Sequence, residues 1–156
     1  MSILRHWSPL RAARYVRAAA DAGVELVCDI AGDLGRMRAD PGRLRQVLLN
    51  LVGNAVKFTA RGGMVHVTSR QDASGGLEIR ICDTGIGISE RERPLVLEPF
   101  GRSADPRALS QPGAGLGLPL AKHLIELHDG TLTLESEPEQ GTAATISFPA
   151  ARKLRE

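Results

Sequence analysis

The chain is 156 residues long, 42% hydrophobic and 24% charged, which suits one folded domain with one sizeable core and excludes a disordered chain. A formal net charge of +2 and only 3% aromatic residues argue against nucleic acid or an anionic membrane as the main partner. No apolar run approaches the roughly 20 residues of a membrane span, the N-terminus lacks a signal-peptide pattern, and Cys28 and Cys82 form no CxxC, so the expectation is a single cytoplasmic α/β domain over 1–156.

Taken in chain order, Ser8-Pro9 supplies an N-cap and a first-position proline for a helix running to about Ala22. Val24 to Ile30 reads as a strand, and Arg36 to Arg38 as a second, very short one. Asp40-Pro41 repeats the cap-plus-proline signal and opens a helix through QVLLNLVGNAVKFT, ended by Arg61-Gly62-Gly63. Leu44, Val47, Leu48, Leu51, Val52 and Ala55 form its apolar stripe. Asn50, Asn54 and Lys57 share another face, an odd choice for a helix because asparagine side chains compete for backbone hydrogen bonds.

Met64 to Arg70 and Leu77 to Cys82 read as strands joined by the turn-rich DASGG. Ser89 with Glu92 gives a capping-box signal for a short helix that Pro94 must cut or distort. RSADPRALSQP, Arg102 to Pro112, has no periodicity and reads as a mobile loop. A helix from about Gly115 to His128 follows, with Leu116, Leu120, Leu124 and Leu127 expected inward and Gly130 ending it. Thr131 to Ser136 and Thr142 to Phe148 make a closing hairpin around PEQG. Residues 1–7 and 150–156 are expected to fray. Sequential strands with short connections predict antiparallel pairing. The fold class is α+β, a two-layer sandwich with a mixed, mostly antiparallel sheet and helices on one face.

Two glycine runs remain, DTGIGI (Asp83 to Ile88) and GAGLGL (Gly113 to Leu118). Alternating glycines permit positive φ and close approach of backbone N–H groups to a ligand, and the second run leads into a helix N-terminus, an electrostatic seat for phosphate. Each run alone is equally well an ordinary turn. A dinucleotide fingerprint should follow a strand, whereas polar SQP precedes GAGLGL, and no Walker lysine pattern is present.

Asn50, Asn54 and Lys57 on a helix, then DTGIGI, LEPFGR and GAGLGLPLAK, occur in that order. This combination resembles the N, first G, F and second G boxes of the catalytic ATP-binding domain of bacterial sensor histidine kinases, members of the GHKL superfamily with the Bergerat fold. DPGRLRQVL, ELHDGTLTLESEPEQGT and the final strand extend the likeness over nearly the whole chain. The resemblance implies ATP and Mg2+ as cofactors, with Asn54 and Asn50 at the metal and Lys57 as a point charge for the phosphates. It makes Asp83 the acceptor for the adenine amine, with Gly85 and Gly87 keeping backbone near the base and Ile88 lining it. Gly113, Gly115, Leu116, Gly117 and Leu118 belong to the phosphate side. Phe58 either flanks the adenine or packs in the core, and Thr142 either reaches the base through water or is an ordinary strand residue. Residues 89–112 match the F box and a mobile ATP lid, from which Arg102 either reaches the terminal phosphate or stays solvated. Lys57 and Arg102 are thus the candidate catalytic residues.

None of His6, His66, His123 and His128 stands in the family's acceptor pattern. The expected partners are therefore a dimerisation and histidine-phosphoacceptor domain, in the parent chain or in trans, and a response regulator downstream, with no direct membrane contact by this domain. Superfamily ATPases that activate water typically carry Glu where Asn50 stands, and asparagine cannot act as a general base. Transfer to an imidazole is therefore favoured over a standalone ATPase or serine kinase, and the intact boxes disfavour a nucleotide-sensing scaffold without phosphotransfer.

Overall fold

The computed structural model describes residues 9–32 and 34–154, and side chains from residue 13 onward. The Ser8 cap, His6, residues 1–7 and residues 155–156 lie outside the described residues. Five strands form one sheet in the order β1-β2-β3-β5-β4: β1 (Glu25–Ile30), β2 (Met64–Gln71), β3 (Leu77–Asp83), β4 (Thr131–Glu137) and β5 (Gly141–Phe148). β1 pairs with β2 in parallel and every other pair is antiparallel, which makes the sheet mixed, as expected. The helices are α1 (Pro9–Ala22), α2 (Pro41–Lys57), α3 (Arg93–Val96), α4 (Pro106–Leu109) and α5 (Gly117–Glu126). No helix among the described residues is long and apolar enough to cross a membrane.

α2 forms where its cap signal predicts. The Asp40 carboxylate accepts the N–H groups of Gly42 and Arg43 at 2.8 and 3.0 Å, and Pro41 occupies a position whose N–H would be unpaired. All six residues of the predicted apolar stripe are buried and meet Val65, Val67, Ile79, Ile81 and Ile146 of the sheet and Ala121, Leu124 and Ile125 of α5 in one core. The inward-facing rows of β3 and β5, Leu77-Ile79-Ile81 and Ala144-Ile146-Phe148, supply the sheet's half of it by the alternation of a pleated strand.

Several expectations need correction. Arg36 to Arg38 is no strand: a single antiparallel bridge joins Met37 to Lys153. The same contact orders residues 150–154, expected to fray, through Arg38 N–H to the Arg152 carbonyl and Leu154 N–H to the Arg36 carbonyl. The capping box does not start a helix at Ser89. The Ser89 hydroxyl does reach the Glu92 carboxylate at 2.8 Å, but the helix begins at Arg93, so Pro94 opens it where a missing N–H costs nothing. The loop from Arg102 contains α4, opened by Asp105-Pro106, the same cap-plus-proline pair that starts α2. α5 starts two residues late, since Gly115 takes φ +74°, outside the helical region. At its far end Asp129, not Gly130, takes the left-handed conformation, at φ +55°. Gly130 is small for another reason: a Cβ there would stand 2.7 Å from the Phe148 ring.

Candidate active site

Beyond the helix-covered core, the inward rows of the sheet continue by one step. Ile81, Ala144 and Leu134 are cross-strand neighbours, and the next row outward is Asp83, Thr142 and Ser136. The alternation that buries Ile81 therefore turns the Asp83 carboxylate into the space between sheet and helices. That space is a cavity of about 290 Å³, floored by Ile81, Ala144 and Leu134 and bounded by α2, by the lid and by the turn before α5.

Asp83 Oδ1 accepts the N–H of Gly85 at 2.8 Å and of Thr142 at 3.2 Å, leaving Oδ2 without a protein donor among these bonds. Burial pushes its carboxyl above the ordinary aspartate value, and the two N–H groups offset part of that rise. The Ser136 hydroxyl, which the sequence reading missed, receives Ile88 N–H at 2.7 Å and lies 2.7 Å from the Thr142 hydroxyl. Gly85 sits behind the carboxylate, where a Cβ would come 2.4 Å from the Phe58 carbonyl, and does not line the cavity. Gly87 does, at φ +70°, with room for a Cβ denied by the Glu137 carbonyl 1.9 Å away. Ile88 and Phe58 line the same end.

At the opposite end the half-buried asparagines of α2 face the start of α5. A Cβ on Gly117 would stand 3.7 Å from Asn54 Nδ2 and 3.9 Å from the Asn50 side chain. Asn54 lines the cavity; Asn50 lies just behind, and its buried Nδ2 has no hydrogen-bond partner. The N-cap of α5, Leu116, supplies no side-chain bond to the first-turn N–H groups. An uncapped N-terminus on a ten-residue helix, an orphaned buried N–H donor and a notch that one methyl group would fill are together fit for an anion, while the amide oxygens of the same asparagines are the kind of donor a hard cation takes. Among the described residues no cluster of His, Cys, Asp or Glu could hold a metal by itself, so amide oxygens and a ligand's own oxygens would have to do so.

Lys57 Nζ donates to the Pro112 carbonyl and lies 5.2 Å from the centroid of the Phe58 ring. Burial holds its ammonium below the ordinary lysine value, and the nearby Arg102 guanidinium adds to the effect. Arg102 lines the cavity but is not free: its Nη2 donates to the carbonyls of Ala108 at 2.9 Å and Gln111 at 2.7 Å, at the end of α4. The lid is further tied by Glu92, which accepts Ala104 N–H at 2.6 Å, and by an ion pair from Arg107 to Glu139 of the β4–β5 turn. Gly113, Gly115, Leu116, Gly117 and Leu118 all line the cavity, so the two glycine runs, 30 residues apart, do meet around one space. The helical spacing of Leu116, Leu120, Leu124 and Leu127 reads as an inward row, but only Leu124 is buried: Leu116 and Leu120 are exposed, as are Leu127 and Phe100, the latter 72% exposed at φ +63°.

The chain has relatives in sequence and in fold. A sequence model of the family described as histidine kinase-, DNA gyrase B- and HSP90-like ATPases matches residues 39–152. The cell-division control histidine kinase PdhS of Brucella canis is 41% identical over 124 residues, 74% of this chain and 12% of that protein. The virulence sensor protein BvgS of Bordetella bronchiseptica is 42% identical over 137 residues, 83% of this chain and 11% of that protein. The chain thus spans about a tenth of the length of these two curated relatives. The mycobacterial sensor histidine kinase MprB superposes with a TM-score of 0.78 at 34% identity, covering 91% of each chain. Full-length ShkA in complex with AMPPNP gives 0.78 at 33% identity, over 94% of this chain and 29% of that one. Matched by the family model over most of its length and by a relative of its own size, the chain belongs to the histidine kinase-, DNA gyrase B- and HSP90-like ATPases and is an ATP-binding catalytic domain of the sensor histidine kinase type.

Proposed function

We propose that the domain binds Mg-ATP and presents the γ-phosphate to a histidine on a separate phosphoacceptor domain, with a response regulator downstream. The observation that carries this reading is the chemistry of the cavity lining. Its only ionisable members among the described residues are Asp83 at one end and Lys57 and Arg102 at the other. Among the described residues no carboxylate or imidazole lines the phosphate end to activate water or a hydroxyl, whereas an imidazole brings its own lone pair.

In this reading Asp83 accepts the exocyclic amine of adenine, with Ile81, Ala144, Leu134 and Ile88 against the base, Thr142 beside it, and Gly85 and Gly87 giving backbone room. The first-turn N–H groups of α5, from Gly117 and Leu118, meet phosphate oxygens, with Gly113, Gly115 and Leu116 shaping the approach. Asn54 and Asn50 would hold Mg2+, which when bound neutralises phosphate charge. Lys57 supplies a localised charge, and Arg102 leaves the lid carbonyls for the terminal phosphate. The protein's contribution is positioning and charge complementarity rather than proton transfer. Phe100, Leu116 and Leu120 border the path by which an acceptor helix would approach.

Titrating Mg-ATP by calorimetry into the wild type and Asn54→Ala, then adding a separately produced acceptor domain and γ-labelled ATP, tests this. The expected outcome is binding by the wild type, loss of at least tenfold in the variant (about 1.4 kcal/mol), and label on an acceptor histidine. Binding with no transfer to any cognate acceptor would instead support a nucleotide-sensing module.

A further inference from the structure

His128 is buried, 8% exposed, and both its ring nitrogens are engaged. Nε2 lies 3.1 Å from the backbone nitrogen of Asp40, which can only donate, so Nε2 accepts. The ring proton is then on Nδ1 and is donated to the Leu124 carbonyl at 2.7 Å. A neutral imidazole thus fastens the last turn of α5 to the N-cap residue of α2, across 88 residues of sequence.

α2 and α5 run antiparallel, since the start of α5 meets Asn50 and Asn54 while its end meets Asp40. Fourteen residues separate Asp40 from Asn54, about 21 Å along a helix at 1.5 Å per residue. Apolar packing between the helices is non-directional and tolerates small sliding. The imidazole bond is directional and sets how far one helix is advanced along the other. A shift at the His128 end is transmitted along two rigid rods to the notch at Gly117. The adenine end is different, because Asp83, Thr142 and Ile81 are placed by the sheet ladder.

We propose that His128 is a positioning residue for the phosphate half of the site: it fixes the axial register of α2 against α5 and so the spacing of Asn50 and Asn54 from the α5 N-terminus. The inference rests on the reading of this site as an Mg-ATP site. It assigns His128 no contact with nucleotide and no part in holding adenosine.

Two substitutions separate the contacts. His128→Asn retains a donor for the Leu124 carbonyl but is too short to accept from Asp40, and His128→Phe keeps ring volume while losing both bonds. Folding is checked by circular dichroism, and Mg-ATP and adenosine are titrated separately by NMR, following the side-chain amides of Asn50 and Asn54. The expected result, in whichever variant folds, is about tenfold weaker Mg-ATP binding, adenosine affinity within about twofold of wild type, and displaced Asn50 and Asn54 amide resonances without ligand. Equal weakening of both ligands, or of neither, would overturn the proposal and leave His128 a stabilising residue only. Failure of both variants to fold would overturn it in the same way. Absence of Mg-ATP binding by the wild type would bring down the site reading itself, which the variants' behaviour alone cannot do.

Discussion

The carboxyl of Asp83 is held above the ordinary aspartate range because burial disfavours its charged form more than the Gly85 and Thr142 N–H groups favour it. For a folded-state value above the unfolded one, the stabilising contribution is full below the unfolded value and is lost as pH rises through the folded value. At neutral pH the ionised group is thus a cost to the ligand-free domain, tolerated because a charged acceptor binds an amine more strongly than a neutral one. Asp83→Asn keeps an oxygen for the two N–H groups. It is expected to leave the ligand-free melting temperature at pH 7 equal or higher while weakening Mg-ATP by about 10–100-fold, the worth of a hydrogen bond to a charged group. Differential scanning fluorimetry and calorimetry read the two effects, and a variant that both melts lower and binds normally would refute the assignment. Gly117 allows the complementary separation at the phosphate end. A Cβ there meets nothing closer than 3.7 Å, so Gly117→Ala should fold with wild-type stability yet lose Mg-ATP affinity by tenfold or more, because the methyl group fills the notch.

Among the elements, the lid shows where sequence periodicity stops being informative. α4 is four residues long and holds no apolar stripe, but Asp105-Pro106 carried the same start signal as Asp40-Pro41. What orders the lid is a set of contacts with distant residues, Arg107 with Glu139 and Arg102 with the carbonyls at the end of α4, which no local window contains. The Arg107–Glu139 pair is solvent-exposed, so it should hold the lid's position without measurable effect on global stability. Arg107→Ala is expected to speed amide hydrogen exchange over residues 102–112 while the melting temperature stays unchanged. Raising salt in the wild type should move exchange in the same direction.

At the scale of the whole molecule, the five strands and the helix α2 were legible because alternation, and for α2 the Asp40-Pro41 cap signal, agree along each; α5 was placed by periodicity alone, and of its expected inward row only Leu124 is buried. Asp83 enters through the resemblance and not through the pattern: the pattern ends the strand at Cys82, and only the structure carries the Leu77-Ile79-Ile81 row one step further to Asp83. The Met37–Lys153 bridge and the His128–Asp40 bond were not legible, since each joins residues whose local patterns say nothing of the other. One long-range fit holds the turn of β4–β5 under the nucleotide end. Gly141, at φ +88°, leaves no room for a Cβ, which would stand 1.9 Å from the Asp83 carbonyl. Gly141→Ala should therefore cost about 2–4 kcal/mol and lower the melting temperature by roughly 5–15 °C, as thermal unfolding would show.

The antiparallel arrangement of α2 and α5 also shapes the field that an approaching nucleotide meets. The positive end of the α5 macrodipole and the negative end of the α2 macrodipole lie side by side at the cavity, and from a distance they cancel. Only within a few ångströms, inside the notch at Gly117, does the α5 end dominate. With a net charge of only +2 over the whole chain, the attraction that remains for a polyanion comes from Lys57 and Arg102 at that end of the cavity. Steering of the triphosphate then rests on those two side chains rather than on the helix ends, and the salt dependence of its association rate should weaken in Lys57→Ala.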